Sequence, residues 1–95
     1  MKLLSIKPSK VRKKKWTAIF EKKDGRKKTI NFGAKGYDDY TIGGTDKQRS
    51  AYLARHKKDK INIPDSAGSL SYWILWGKSK DMEKNIKDFR KKFDV

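Results

Sequence analysis

Trp16-Thr17-Ala18-Ile19-Phe20-Glu21-Lys22-Lys23-Asp24-Gly25-Arg26-Lys27-Lys28-Thr29-Ile30-Asn31-Phe32-Gly33 is the stretch whose reading decides the fold. Trp16, Ala18 and Phe20 alternate with Thr17, Ile19 and Glu21, and Lys28, Ile30 and Phe32 alternate with Thr29, Asn31 and Gly33. Period-two alternation on either side of Asp24-Gly25 reads as a β-hairpin over residues 15–33. A two-residue loop at Asp24-Gly25 would pair Ala18 with Asn31 and split the apolar residues over both faces. A three-residue loop, Lys23-Asp24-Gly25 with Gly25 at the positive-φ bulge position, pairs Ala18 with Ile30 and Trp16 with Phe32, so one face becomes apolar. A one-residue slip flips every side chain, and the longer loop is therefore expected. Thr17, Ile19, Glu21, Lys27, Thr29 and Asn31 then face the other way.

Upstream, residues 1–7 alternate weakly and end at Pro8, so residues 1–14 read as a basic N-terminal arm or an edge strand. Downstream, Gly33, Gly36, Gly43 and Gly44 punctuate a loop around Tyr37–Ile42, whose last residues are candidates for a third strand. Thr45-Asp46-Lys47-Gln48 has the form of a capping box and opens a helix over about 46–56, with Arg49, Tyr52, Leu53 and His56 on one side. After Pro64, Asp65 or Ser66 caps a second helix over about 66–76, carrying Leu70, Trp73 and Ile74 and the most apolar segment of the chain. Ser79 caps a third over about 80–93, where Met82, Ile86, Phe89 and Phe93 form a one-sided stripe. Strands first and helices later give an α+β class: a hairpin or small antiparallel sheet followed by about three helices, in a single domain over residues 15–95.

The 95 residues carry 26 Lys and Arg against 11 Asp and Glu, a net charge of +15. Residues 1–36 hold 13 of the cations and 2 acids, net +11, while the remainder is only +4. A strongly basic first third points to a polyanionic partner. Lys10, Arg12, Lys13, Lys14, Lys15, Lys22, Lys23, Arg26, Lys27 and Lys28 are the expected polyanion-binding residues, forming one basic end of the hairpin. Lysine outnumbers arginine among them, which favours point-charge contacts to phosphate over bidentate reading of bases. Nucleic acid and acidic capsid proteins are both expected partners. Trp16, Phe20 and Phe32 are able to stack on bases, but their shared face is better read as core.

Catalytic chemistry has little to draw on, and no enzyme activity, small-molecule substrate, cofactor or metal is expected. His56 is the only histidine, with no serine or cysteine triad evident around it. Asp38-Asp39 is the one adjacent acidic pair able to hold Mg²⁺, with Asp46 and Asp59 nearby in sequence, and pairing with local lysines is the simpler reading. Gly33-Ala34-Lys35-Gly36 lacks the ending of a P-loop. There is no cysteine, hence no disulfide framework. No stretch approaches the roughly 20 apolar residues of a membrane span, and the start lacks the apolar run of a signal peptide.

Three segments carry a resemblance. Asn31-Phe32-Gly33-Ala34-Lys35-Gly36-Tyr37-Asp38-Asp39-Tyr40-Thr41, Tyr52-Leu53-Ala54-Arg55-His56-Lys57-Lys58 and Gly68-Ser69-Leu70-Ser71-Tyr72-Trp73-Ile74-Leu75-Trp76 are similar to a family of small basic proteins of large nucleocytoplasmic DNA viruses of algae and protists. The likeness runs from about Lys15 to Phe93; the family pattern has a His where Gly43-Gly44 stands and a Trp near Ile61. The resemblance implies a viral protein made in the host cytoplasm, with no catalytic residues to carry over. With the basic N-terminal face it makes the first expectation a non-enzymatic component of the virion, a minor capsid or internal packaging protein, and the alternative a sequence-independent nucleic-acid-binding protein of viral replication or transcription.

Overall fold

The computed structural model describes residues 1–95. Three antiparallel strands, β1 (Lys2–Pro8), β2 (Lys14–Glu21) and β3 (Lys27–Ala34), form a sheet in the order β1-β2-β3. Helices α1 (Asp46–His56), α2 (Ala67–Leu70) and α3 (Met82–Phe93) follow, and α2 runs directly into a π-helical segment over Ser71–Leu75. The fold is the expected α+β arrangement, with β1 as the edge strand.

The β2–β3 register is the one that the three-residue loop requires: Trp16 opposes Phe32, Ala18 opposes Ile30 and Glu21 opposes Lys27. Lys22 and Arg26 close the loop through Lys22 N–H to Arg26 O at 2.7 Å, and Gly25 takes φ +86°. An L-residue with a side chain rarely adopts that φ, so the glycine sets the turn and the turn sets the register.

The weak alternation of β1 has a physical explanation. Leu3 opposes Phe20, but Ser5 opposes Ile19, so Leu4 is an extra residue bulged out of the ladder. The bulge puts Leu3 and Ile6, three apart in sequence, on the same face as Ala18 and Phe20. Leu4 is left exposed.

The two faces of the sheet differ completely. Leu3, Ala18, Phe20 and Phe32 are buried, and Ile6, Trp16 and Ile30 pack against them. The opposite face is built of three rows across the strands: Lys7–Thr17–Asn31, Ser5–Ile19–Thr29 and Lys2–Glu21–Lys27. None of these nine residues is buried, and Ile19, the one apolar member, lies outside the core cluster.

The core face is covered by the helical half. Leu70, Ile74, Leu75 and Trp76 are buried with the sheet aromatics. Trp76 N–H bonds to Ser71 O at 3.0 Å, an i→i−5 bond that widens the turn. The widening brings Ile74 and Leu75 inward together with Leu70, which a regular α-turn would splay apart. The expected helix over 66–76 is thus α-helical only at its start. Ser66 caps it, its Oγ accepting from Ser69 N–H at 3.1 Å. On α3, the stripe of Met82, Ile86, Phe89 and Phe93 packs on this core, and the cap is Asp81, two residues beyond the expected Ser79.

One expectation fails. Tyr40–Ile42 is a single 3₁₀ turn and adds no strand. Asp39 accepts from Thr41 N–H at 2.9 Å and Gly43 closes the turn at φ +105°, so local side-chain bonding outcompetes extension.

Asn85 joins α3 to the end of the π segment. Its Nδ2 donates to Ile74 O at 2.8 Å and to Ser79 O at 2.7 Å, while its Oδ1 accepts from Ser79 N–H at 3.0 Å. All three groups are left without these partners in Asn85→Ala. We expect that variant to lose roughly 2–4 kcal/mol, because a buried polar group bears its full desolvation cost when a partner is removed. Urea denaturation of the two proteins measures it.

Candidate nucleic-acid interface

In a meander, successive turns lie at opposite ends of the shared strand. The basic residues therefore do not form the single basic end expected from the sequence. Lys10, Arg12, Lys13 and Lys14 lie at the β1–β2 turn, and Lys22, Lys23, Arg26, Lys27 and Lys28 lie at the β2–β3 loop. The eight residues of β2 hold the two groups apart, by about 23 Å at ~3.3 Å per residue.

The β1–β2 turn is built by Ser9 N–H to Lys15 O at 3.0 Å, Lys14 N–H to Val11 O at 3.1 Å and Val11 N–H to Ser9 Oγ at 3.0 Å. Lys35 N–H bonds to Lys13 O at 3.0 Å, which brings Lys35 beside the turn. Lys10, Arg12, Lys13 and Lys35 are exposed, and none of them, nor Lys14, forms an ion pair. Lys35 was not among the residues singled out from sequence, since its proximity comes only from pairing.

Lys15 is different. Its Nζ lies 2.8 Å from Asp39 Oδ2 and 2.6 Å from Tyr37 O, with the two side chains only 13% and 2% exposed. The other Asp39 oxygen accepts from Thr41 N–H and Thr41 Oγ1. Lys15 thereby ties the start of β2 to the glycine-rich loop, and its charge is neutralised by a buried carboxylate. The same holds at the far end. Lys22 and Lys28 point to the core side of the sheet and both reach Asp65 Oδ2, Lys28 at 3.1 Å. Arg26 pairs with Asp24 at 2.7 Å in an exposed bridge of little energetic weight. Lys23 and Lys27 remain exposed and unpaired.

Asp38 and Asp39 do not act as a pair, since Asp38 is exposed while Asp39 is buried against Lys15. His56 Nδ1 lies 2.7 Å from Asp59 Oδ2, and its ring stacks on Tyr52 at 4.2 Å. Tyr52 in turn stacks on Trp76 at 4.7 Å, so this face of α1 is a packing surface. Phe20 and Phe32 are fully buried and are not open to a base.

The comparisons with known proteins fit this geometry into a family. Residues 4–56, which span β1 to the end of α1, match the family described as "Family of unknown function (DUF5754)". The chain belongs to this family. It is also 44% identical over 70 residues to "Uncharacterized protein L851" of Acanthamoeba polyphaga mimivirus, covering 66% of this chain and 70% of that protein. The family is thus one with giant-virus members. No solved structure matches the chain.

Asp65 makes the charge network sensitive to acid. Burial pushes its carboxyl up, but the ammonium groups of Lys22 and Lys28 outweigh this and hold it below its ordinary value of 3.8. A carboxyl whose folded-state pKa is depressed contributes stability that is present above the unfolded value and lost as pH falls through the folded one. Wild type is therefore expected to lose stability below about pH 4, and Asp65→Asn to be less stable at pH 7 with a shallower acid limb. Thermal melts between pH 2.5 and 7 read both.

Proposed function

We propose that the protein is a non-enzymatic nucleic-acid-binding protein of a large DNA virus, seating phosphates without regard to base sequence. The observation that supports this most is the separation of its cations into two kinds. Lys15, Lys22 and Lys28 are paired with the buried carboxylates of Asp39 and Asp65, while Lys10, Arg12, Lys13, Lys14 and Lys35 at one end and Lys23 and Lys27 at the other are unpaired. Each lysine or arginine set on a phosphate releases condensed counterions, and a regularly charged backbone reaches both ends of the sheet at once.

A second reading is a structural component of the virus particle, as a minor capsid or internal packaging protein. The mimivirus relative supports a viral setting, and the same exposed cations suit packaged DNA or an acidic capsid surface. Mass spectrometry of purified virions tests this directly; absence from the particle would sink it.

The binding reading is tested by titrating duplex DNA over a range of salt. Replacing Lys10, Arg12 and Lys13 with Gln should lower the slope of log K against log salt by about 0.9 for each phosphate that is no longer neutralised, with the fold intact. Lys15→Gln should act on the other property. It leaves Asp39 buried and unpaired, and should lower stability by about 3 kcal/mol or more. A flat salt response in wild type would remove the proposal.

A further inference from the structure

The helices cover one face of the sheet, and the other is left with Lys, Ser, Thr, Ile, Glu and Asn side chains and no element packed on it. Asn31 is held in a defined orientation on that face. Its Oδ1 accepts from Thr17 Oγ1 at 2.6 Å and from Ser9 Oγ at 3.3 Å. Ser9 Oγ also accepts Val11 N–H at 3.0 Å, which fixes the hydroxyl beside Asn31 Oδ1. The Asn31 Nδ2 has no partner within the protein and is left with both protons to donate. The same three bonds lock the basic β1–β2 turn to the open face, so the donor and the turn cations keep a fixed spacing.

We propose that this open face lies in the major groove of duplex DNA, with Asn31 Nδ2 donating to a purine N7 and the two basic turns on flanking phosphates. The proposal rests on the nucleic-acid reading above and names its substrate. Three points favour the duplex. Strands ~4.8 Å apart put the axes of β1 and β3 about 10 Å apart, a spacing comparable with the roughly 12 Å width of the major groove. Lys7 stands in the same row as Asn31, and Lys2 and Lys27 stand in the last row, so the face itself is cationic despite Glu21. Single-strand binding relies on exposed aromatic platforms, and Trp16, Phe20 and Phe32 of this sheet all lie on the core side.

The hydrogen bond also explains how a base-edge contact coexists with sequence tolerance. A bidentate asparagine reads adenine by donating and accepting together. With Oδ1 occupied by Thr17 and Ser9, Asn31 donates only, and N7 is present on guanine and adenine alike.

Fluorescence anisotropy with the full chain tests the proposal against three probes: a mixed-sequence 20-base-pair duplex, the same duplex with 7-deazapurines, and one of its strands alone. We expect the duplex to bind about tenfold tighter than the strand, and the 7-deaza duplex about fivefold weaker than the natural one, in line with the removal of a base-edge hydrogen bond. Asn31→Asp keeps the acceptor for Thr17 and Ser9 and should abolish the 7-deaza effect. Thr29→Glu, at an exposed position on the same face with no side-chain hydrogen bond, should weaken duplex binding about tenfold through like-charge repulsion with phosphate, and serves should the Asn31 variant not fold. Equal binding of natural and 7-deaza duplexes, or of duplex and single strand, with salt dependence retained, would overturn the groove proposal and leave phosphate binding standing. No binding to any probe at low salt would remove both.

Discussion

Ala18 sits opposite Ile30 and Trp16 opposite Phe32, and the other parts of the molecule take their positions from that pairing. It collects Phe20 and Phe32 on one face, where Leu70, Ile74 and Leu75 cover them. It sends Thr17 and Asn31 to the other face, where they bond to each other. Because the side-chain period of a strand is two, no intermediate arrangement exists. A slip by one residue would bury Asn31 and Thr17 and expose both phenylalanines. The bulge at Leu4 extends the same face to β1 and leaves one leucine exposed.

Two buried carboxylates divide the lysines into structural and free ones. Asp39 lies at the β1–β2 end of the sheet and takes Lys15; Asp65 lies at the opposite end and takes Lys22 and Lys28. Each carboxylate comes from a segment outside the sheet, so each pair also fastens a loop to a strand. Breaking such a pair leaves a charge in a desolvated place, which is why removing one partner is costly even where the intact pair adds little net stability. Of the basic residues singled out from sequence, Lys10, Arg12, Lys13, Lys14, Lys23 and Lys27 lie at the two turns with no ion-pair partner.

The helical half works as a lid for the sheet and uses backbone groups as its joints. Asn85 bonds to carbonyls at Ile74 and Ser79, and Arg49 Nε donates to Trp76 O at 3.1 Å and Gly77 O at 2.9 Å. Trp76, Gly77 and Ser79 follow the π segment, and side chains from α1 and α3 bond to their carbonyls. Lys92 of α3 lies over the Trp73 ring at 4.3 Å and covers its aromatic face.

Local patterns were enough to read much of this from sequence. Alternation and one glycine gave the hairpin and its register; Thr45 and Gln48 marked the start of α1, where their reciprocal capping bonds are present; the four-residue stripe on α3 gave a core face. What local patterns do not carry is distance between segments. The reading of Lys15, Lys22 and Lys28 as unpaired cations lacked Asp39 and Asp65, which lie 24, 43 and 37 residues away in the chain. The grouping of the basic residues at one end overlooked the length of β2, which Lys10 to Lys15 precede or begin and Lys22 to Lys28 follow. By itself, then, the sequence determined the elements, the apolar face and the total charge, because each depends on neighbours within a few residues. Only the tertiary structure decided which charges stay free and what the uncovered face presents, because ion pairing and burial depend on segments that meet only when the chain folds.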